Sequence, residues 1–292
     1  MTNYPRFVFF GSPEFAEIIL ERLITAGFIP AVVVCSPDAP VGRKKIMTPP
    51  PAKVTAEKYN IEVLQPETLA NHKLQITNYK PDFFIVAAYS KILKKDILDI
   101  PKLGTIGVHP SLLPKYRGAS PIQSAILEDE PETGTSLYLM DEKVDNGPIL
   151  KNQKSKIKNQ SYEELMRELA ESSGNLLVET LPKFLNGEIK ARPQNDNEAT
   201  FTKKFSLSDG LVDLKNDPPR QVWLKIRALN PEPGVFTILK LKNGKEIKLK
   251  LLEADFQNEN LELKRVQPEG KSPMAWKDFL NGYQDKFLIP NS

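Results

Sequence analysis

The sequence is poor in the residues that form disulfides and bind metal ions. Its 292 residues include one cysteine and two histidines. Cys35 has no second cysteine to pair with, and its place in the apolar run Ala31–Cys35 predicts a small buried residue. Because a structural metal site needs a cluster of such ligands, we expect no bound metal.

Long apolar stretches are also missing. No segment approaches the ~20 consecutive apolar residues that a membrane-spanning helix requires. Residues 1–6 do not show the basic, apolar and small-residue regions of a secretion signal. We therefore expect a cytoplasmic protein that does not enter a membrane, and we expect a monomer.

Charge of either sign is nearly balanced, with a formal net charge of +3. From residue 201 onward the chain has 16 Lys and Arg residues against 12 Asp and Glu residues. A basic C-terminal part is typical of a module that binds a polyanion, and equally of a solvated lysine-rich surface. Charge alone leaves both interpretations open.

The order of apolar segments predicts an α/β fold. A buried strand at Phe7–Phe10, a helix over Glu14–Gly27 and a second strand at Ile29–Cys35 form the start of a parallel sheet with crossover helices. Further strands are predicted at 83–88, 105–109 and 136–140, followed by a long amphipathic helix over 162–184. These elements predict a Rossmann-like domain of residues 1–190.

The composition changes after the long helix. Residues 191–208 are polar and interrupted, as in a linker. Short alternating segments then follow, and Asn243-Gly244 between two of them is a strong hairpin-turn signal. We expect residues 209–292 to form a small β-barrel of the oligonucleotide-binding (OB-like) kind.

The two histidines occupy different surroundings. His72 lies in a polar stretch and is predicted to be a surface residue. His109 ends a predicted buried strand, which is where open α/β sheets place ligands and reacting groups. A single histidine is more often structural than functional, so its position alone leaves both roles open.

The residues around His109 resemble a known signature. His109-Pro-Ser-Leu-Leu-Pro-Lys-Tyr-Arg-Gly118 resembles the signature of the folate-dependent formyltransferase family, and Thr133–Leu150 resembles its second signature. The resemblance implies that His109 polarises the formyl carbonyl and stabilises the oxyanion. It implies that Asp145 holds His109 and relays a proton through water. Asp145 could instead cap the turn at Asn146-Gly147, and Asp141 is the alternative carboxylate.

Three further segments resemble the members of this family that act on methionyl-tRNA. They are Phe10–Ala16, Ser36–Lys45 and Ile226–Thr237. The second segment would be a basic loop that holds the tRNA acceptor end, since lysine and arginine contact phosphates regardless of sequence. A solvated lysine loop is the alternative. The expected second domain would also bind tRNA, and the residues expected to contact tRNA are Arg43, Lys44, Lys45, Lys203 and Arg227.

The resemblance also implies a folate pocket built from strand-end loops. Apolar members of this set could equally be ordinary core residues. The expected folate-binding residues are Ala88, Tyr89, Ser90, Ile92, Leu93, Ser111, Leu112, Leu113, Pro114, Leu137, Met140 and Asp141.

The implied activity is transfer of a formyl group from 10-formyltetrahydrofolate, as cosubstrate, to the amino group of initiator methionyl-tRNA. One position departs from the family pattern, because Gly107 stands where an asparagine two residues before the histidine is expected. Losing one oxyanion donor typically lowers turnover by ~10²–10³. A neighbouring side chain or water could fill the gap, the enzyme could be slow, or catalysis could be lost while binding is kept.

Other functions remain within this resemblance. A sugar-nucleotide N-formyltransferase shares the core signature but has no need of the basic loop. A glycinamide ribonucleotide transformylase lacks an added C-terminal β-domain. In a different class, Gly107 allows a catalytically impaired paralogue that only binds folate or tRNA.

Overall fold

The computed structural model describes residues 5–42, 44–240, 244 and 246–283. These residues fall into two compact units. The first unit comprises the described residues within Met1–Gly118, Glu132–Lys156 and Met166–Phe201. The second comprises those within Ala119–Pro131, Ile157–Leu165 and Thr202–Ser292, so the chain passes between the units several times.

Strands and helices alternate through the first unit, as in an α/β fold. Within the described residues the strands are β1 (Phe7–Phe10), β2 (Val32–Val34), β3 (Ala39–Val41), β4 (Ile46–Thr48), β5 (Val63–Leu64), β6 (Phe83–Ala87), β7 (Thr105–His109), β8 (Arg117–Gly118), β9 (Glu132–Leu139), β10 (Ile149–Lys156), β11 (Phe201–Thr202), β12 (Phe236–Lys240), β13 (Glu246–Gln257), β14 (Asn260–Pro268) and β15 (Met274–Ala275). The helices are α1 (Glu14–Thr25), α2 (Pro51–Lys58), α3 (Lys73–Asn78), α4 (Lys95–Leu98), α5 (Pro121–Leu127), α6 (Tyr162–Leu185), α7 (Pro219–Leu229) and α8 (Trp276–Tyr283). None of these helices is long and apolar enough to cross a membrane.

The central sheet has seven strands in the order β10-β9-β7-β6-β1-β2-β5. Strands β1, β2, β5, β6 and β7 are parallel, and every residue of Phe7–Phe10 is buried. A strand that is covered on both faces needs apolar side chains on both, which explains the continuous apolar runs. The predicted parallel α/β fold is confirmed.

The two remaining strands of the sheet run differently. Strand β9 pairs antiparallel with β7, and β10 pairs antiparallel with β9. The apolar pattern of residues 136–140 predicted a strand, but burial does not encode strand direction. The sheet is therefore mixed, and β9 lies directly beside the strand that ends in His109.

The second unit contains an antiparallel sheet in the order β12-β13-β14-β15. Strands β12 and β13 form the predicted hairpin, with Lys240 opposite Glu246. Asn243 of the predicted turn lies outside the described residues. The ring of Trp223 on α7 stacks on Phe256 of β13 at 5.5 Å between centroids. We expected a small β-barrel of the OB-like kind, and the described residues form an antiparallel sheet whose four strands pair in this order.

Cys35 follows β2 and is fully buried, as predicted. Burial raises the pKa of its thiol to about 12, because the charged thiolate would lose its hydration. The residue is part of the core of the first unit.

Candidate active site

Two neighbouring parallel strands end at the same edge of the sheet. Ala87 of β6 pairs with Val108 of β7, so the loop that starts at Ala88 begins beside His109. His109 is the last residue of β7 and is 6% exposed. The strand pairing therefore brings the expected histidine and one of the expected folate loops together.

Both ring nitrogens of His109 face oxygen atoms. Nε2 lies 2.8 Å from the carbonyl oxygen of Tyr116, and Nδ1 lies 3.5 Å from Oδ2 of Asp145. Because a carbonyl oxygen can only accept, Nε2 carries a hydrogen and donates it. The Nδ1 edge of the ring is therefore the edge that faces the carboxylate.

Asp145 is held by donors on both of its carboxylate oxygens. The Gly118 N–H donates to Oδ2 at 2.7 Å, and the Tyr138 hydroxyl donates to Oδ1 at 2.7 Å. Asp141 accepts instead from the Lys143 N–H and from the Asn146 side chain, both at 2.9 Å, and so closes the turn between them. Of the two carboxylates that the sequence left open, Asp145 is the one that faces His109.

A buried arginine fixes the turn that carries Asp145. Arg117 is 3% exposed and donates to Oδ1 of Asn146 at 3.0 Å and to Oε1 of Gln194 at 2.8 Å. The Gln194 amide in turn donates to the carbonyl oxygens of Asp145 and Gly147 at 2.9 and 2.7 Å. A buried guanidinium is tolerated only when acceptors surround it, so this network orders the turn.

The turn at Asn146-Gly147 packs closely against β9. A Cβ atom built on Gly147 would lie 1.7 Å from the carbonyl oxygen of Leu139. Only glycine fits at that approach, because any side chain would collide with the strand backbone. Gly147 therefore allows the turn that carries Asp145 to pack this closely against β9.

The segment predicted to be a linker contributes to this site. Gln194 and Asp196 both accept from Arg117, and Thr200 accepts from the Tyr116 N–H at 2.8 Å. Arg192 pairs with Ile149 in an isolated bridge. Residues 192–200 thus pack on the first unit, although their polar composition suggested a free connection.

Gly107 lies directly opposite Tyr138 in the β7–β9 pair. A Cβ atom on Gly107 would lie 2.4 Å from Cε1, 2.5 Å from Cζ and 2.8 Å from the hydroxyl oxygen of Tyr138. The space that a side chain at residue 107 would enter is therefore occupied by the Tyr138 ring. The sequence analysis did not identify Tyr138, because strand register cannot be read from one sequence.

The expected folate residues divide into exposed and buried groups. Ile92 is 80% exposed, and Ala88 and Ser90 are also exposed. Leu93 and Leu113 are each 4% exposed and belong to core clusters. Tyr89, Leu112, Pro114, Met140 and Asp141 are half-buried, and Ser111 and Leu137 are fully buried.

A serine on β9 fixes the loop after His109. The Ser136 hydroxyl donates to the Ser111 carbonyl at 2.7 Å and accepts from the Leu113 N–H at 2.9 Å. The Ser111 hydroxyl donates to the Lys115 carbonyl at 2.6 Å. These hydrogen bonds fix the conformation of the loop that follows His109.

The expected basic loop is an exposed hairpin. Strands β3 and β4 pair antiparallel, and Lys44 and Lys45 are exposed in the turn between them. Arg43 lies outside the described residues. At the base, Asp38 accepts from Lys53 at 2.9 Å and from Gln65 at 2.7 Å. The hairpin thus presents its two lysines at the end of an anchored stem.

The other two expected tRNA contacts differ in exposure. Lys203 is exposed and pairs with Asp209. Arg227 is 7% exposed, lies 4.4 Å from the Trp223 ring centroid, and donates to the carbonyl oxygens of Lys158 and Gln160. Burial lowers the pKa of Arg227, since the guanidinium has lost water there. This environment argues against a phosphate contact and gives Arg227 a structural role in the second unit.

Comparison with known proteins agrees with this geometry. Residues 5–181 match the family described as formyl transferase, and residues 204–260 match the formyl transferase C-terminal domain. The chain is 37% identical over 303 residues to the methionyl-tRNA formyltransferase of Halalkalibacterium halodurans, covering 95% of this chain and 94% of that protein. The chain belongs to the methionyl-tRNA formyltransferase family.

Solved structures agree with the fold of a methionyl-tRNA formyltransferase. The enzyme of that name from Clostridium thermocellum superposes with a TM-score of 0.60 at 16% identity, covering 91% of this chain and 99% of that one. HypX from Aquifex aeolicus, in complex with tetrahydrofolic acid, superposes with a TM-score of 0.65 at 16% identity over 96% of this chain. The chain spans about half of HypX, 48% of its length. At such identities the likeness establishes the fold alone.

Within the part of this family member that the structure describes, no group of three or more His, Cys, Asp or Glu side chains is arranged to hold a metal ion. The candidate site brings together one imidazole, one carboxylate and one phenol. Groups of these types can donate hydrogen bonds and transfer protons.

Proposed function

We propose that this chain transfers the formyl group of 10-formyltetrahydrofolate to the free amino group of initiator methionyl-tRNA. The observation that carries the proposal is the His109–Asp145 pair at the sheet edge, in a chain matched along nearly its whole length by methionyl-tRNA formyltransferases. Those relatives also disfavour the sugar-nucleotide alternative.

Formyl transfer places two demands on the site. The amino nitrogen attacks the formyl carbon, a new C–N bond forms, and the formyl oxygen becomes an oxyanion. Collapse of this intermediate breaks the bond between the formyl carbon and the folate nitrogen, which takes up a proton. The site therefore needs a donor to the oxyanion and a group that removes the proton of the attacking amine.

His109 and Asp145 meet these demands in the proposed mechanism. The 3.5 Å between Nδ1 and Oδ2 is longer than an ordinary N–H···O bond, so the Nδ1 edge of the ring is not committed to the carboxylate and can meet the formyl oxygen. In the proposed mechanism the Asp145 carboxylate receives the amine proton, directly or through water. The carbonyl of Tyr116 holds the other ring nitrogen and keeps the ring in place.

Substrate recognition would use the neighbouring surfaces. The loop that begins at Ala88 starts beside His109, and its residues Ala88, Ser90 and Ile92 are exposed, which leaves them accessible to a flat heterocycle. The basic turn with Lys44 and Lys45, together with Arg43, would contact tRNA phosphates. Lys203 in the second unit is a further candidate contact.

A single-turnover assay tests the function. The protein is mixed with labelled 10-formyltetrahydrofolate and either initiator methionyl-tRNA, the same tRNA without methionine, or a dTDP-amino sugar. We expect formyl transfer to methionyl-tRNA alone, because the uncharged tRNA lacks the amino group. Transfer to the sugar instead, or no transfer to any acceptor, would refute the proposal.

A further inference from the structure

Residues 107 and 138 share one space in the site. The side chain of residue 107 would have to start where the Tyr138 ring already lies, with three ring and hydroxyl atoms within 2.8 Å of the ideal Cβ position. Tyr138 is 3% exposed, so its ring cannot move out to solvent without leaving a void. This space can therefore hold either a side chain at residue 107 or the Tyr138 ring, but not both.

The Tyr138 hydroxyl lies against the His109–Asp145 pair. It donates to Oδ1 of Asp145 at 2.7 Å, while Oδ2 of the same carboxylate faces Nδ1 of His109. The Asp145 carboxylate can rotate about its Cβ–Cγ bond, and this rotation would move Oδ2 away from the His109 ring. A donor on Oδ1 and the Gly118 N–H on Oδ2 together fix the orientation.

We infer that Tyr138 is a positioning residue that replaces the polar side chain missing at residue 107, and that it acts by locking Asp145 in the orientation that faces His109. The inference rests on the proposed function. It explains why glycine is found at 107, since the tyrosine requires the absence of a side chain there.

The hydroxyl is suited to this task over the whole range of working pH. Burial raises the pKa of Tyr138 well above its usual value, and the nearby charges of Asp145 and Asp141 raise it further. The phenol therefore stays protonated and remains a donor to the carboxylate.

The test is Tyr138→Phe, which removes the hydroxyl and keeps the ring that fills the space beside Gly107. A hydrogen bond to a charged group corresponds to about a tenfold to hundredfold effect on rate. We expect kcat to fall by this factor, with KM for both substrates within about twofold of the original. The acidic limb of the kcat–pH profile should move to higher pH, because the Asp145 carboxylate loses a donor to its charged form while Nδ1 of His109 still faces it.

Tyr59→Phe is the matched control. The Tyr59 hydroxyl also donates to a carboxylate, Oε1 of Glu21 at 3.3 Å, but lies at the end of α2 outside the site. This variant should keep the original kcat and pH profile.

A second readout does not depend on turnover. The chain has two histidines, so His72→Ala assigns the ring resonances of both by NMR. Tyr138→Phe should shift the ring nitrogen resonances of His109 and leave those of His72 unchanged. If the unaltered protein fails to formylate methionyl-tRNA, the proposed function falls while this readout still tests Tyr138. Unchanged His109 resonances, or a fall in kcat without a change in the pH profile, would overturn the inference.

Discussion

Adding one methyl group at residue 107 should destabilise the protein. In Gly107→Ala the new Cβ would lie 2.4–2.8 Å from three atoms of Tyr138, and all of these are closer than van der Waals contact allows. Overpacking of a buried site typically costs ~1–3 kcal/mol. The same change beside open space would instead stabilise a strand by about 0.5–1 kcal/mol, because glycine loses more conformational freedom on folding than alanine does.

The sign of the effect should therefore depend on Tyr138. We expect Gly107→Ala to lower the free energy of unfolding by ~1–3 kcal/mol in the original background. In a Tyr138→Val background, where the ring is gone and a β-branched strand residue remains, the same change should raise it by about 0.5 kcal/mol or more.

Urea denaturation of the four proteins measures this coupling. Gly282→Ala is the control, since a Cβ there meets nothing within 4 Å, and its effect should be equal in both backgrounds. If Gly107→Ala changes the free energy of unfolding equally with and without the Tyr138 ring, residue 107 and Tyr138 do not compete for one space.

Three further predictions follow from other parts of the structure. Arg117→Gln should lower the free energy of unfolding by ~1–3 kcal/mol in urea denaturation, because buried acceptors lose their donor; equal stability would contradict the network. Replacing Lys44 and Lys45 by alanine should reduce the slope of log affinity against log salt for tRNA by up to ~0.9 per lost phosphate contact, with Lys58→Ala as the control. For Cys35 the folded pKa of about 12 lies above the ordinary thiol pKa of 9.0, so its contribution to stability is present below pH 9 and is lost as the pH rises toward 12. Cys35→Ala should flatten this part of the stability–pH curve, and an unchanged curve would show that the thiol is not the cause.

The sequence predicted the elements of the first unit because its parallel strands are covered on both faces. Phe7–Phe10 and Phe83–Ala87 are continuous apolar runs that only a buried strand would show. The direction of β9 could not be predicted, since an antiparallel neighbour within the sheet can be as buried as a parallel one. The pairing of β12 to β15 likewise depends on long-range register that short alternating segments do not specify.

The sequence could point to site residues that lie directly at the end of a strand or within a recognisable motif. His109 follows its strand directly, and the resemblance pointed to Asp145, which the geometry places beside it. The partners that hold these groups come from distant segments with no signal of their own. Gln194 lies 49 residues from the Asp145 carbonyl that it binds, within a stretch that looked like a linker.

The expectation for Gly107 shows the same limit. The absence of the expected asparagine could be read from the sequence, but the contact with Tyr138 could not, because Tyr138 meets residue 107 only through the β7–β9 register. The structure also affects how a substitution that restores the expected asparagine is to be interpreted. Gly107→Asn would bring a side chain into the Tyr138 ring, so loss of activity in that variant would reflect a collision.

The central claim is that His109 and Asp145 act together in formyl transfer. The most direct measurement compares single-turnover formylation of methionyl-tRNA by Asp145→Asn and Asp141→Asn, which remove the same charge from one turn. We predict a loss of at least ~10²-fold for Asp145→Asn, since it removes the carboxylate that faces His109. Asp141→Asn should lose much less activity than Asp145→Asn, because Asp141 faces Lys143 and Asn146 and does not face His109. Equal losses in the two variants, or full activity of Asp145→Asn, would contradict the account.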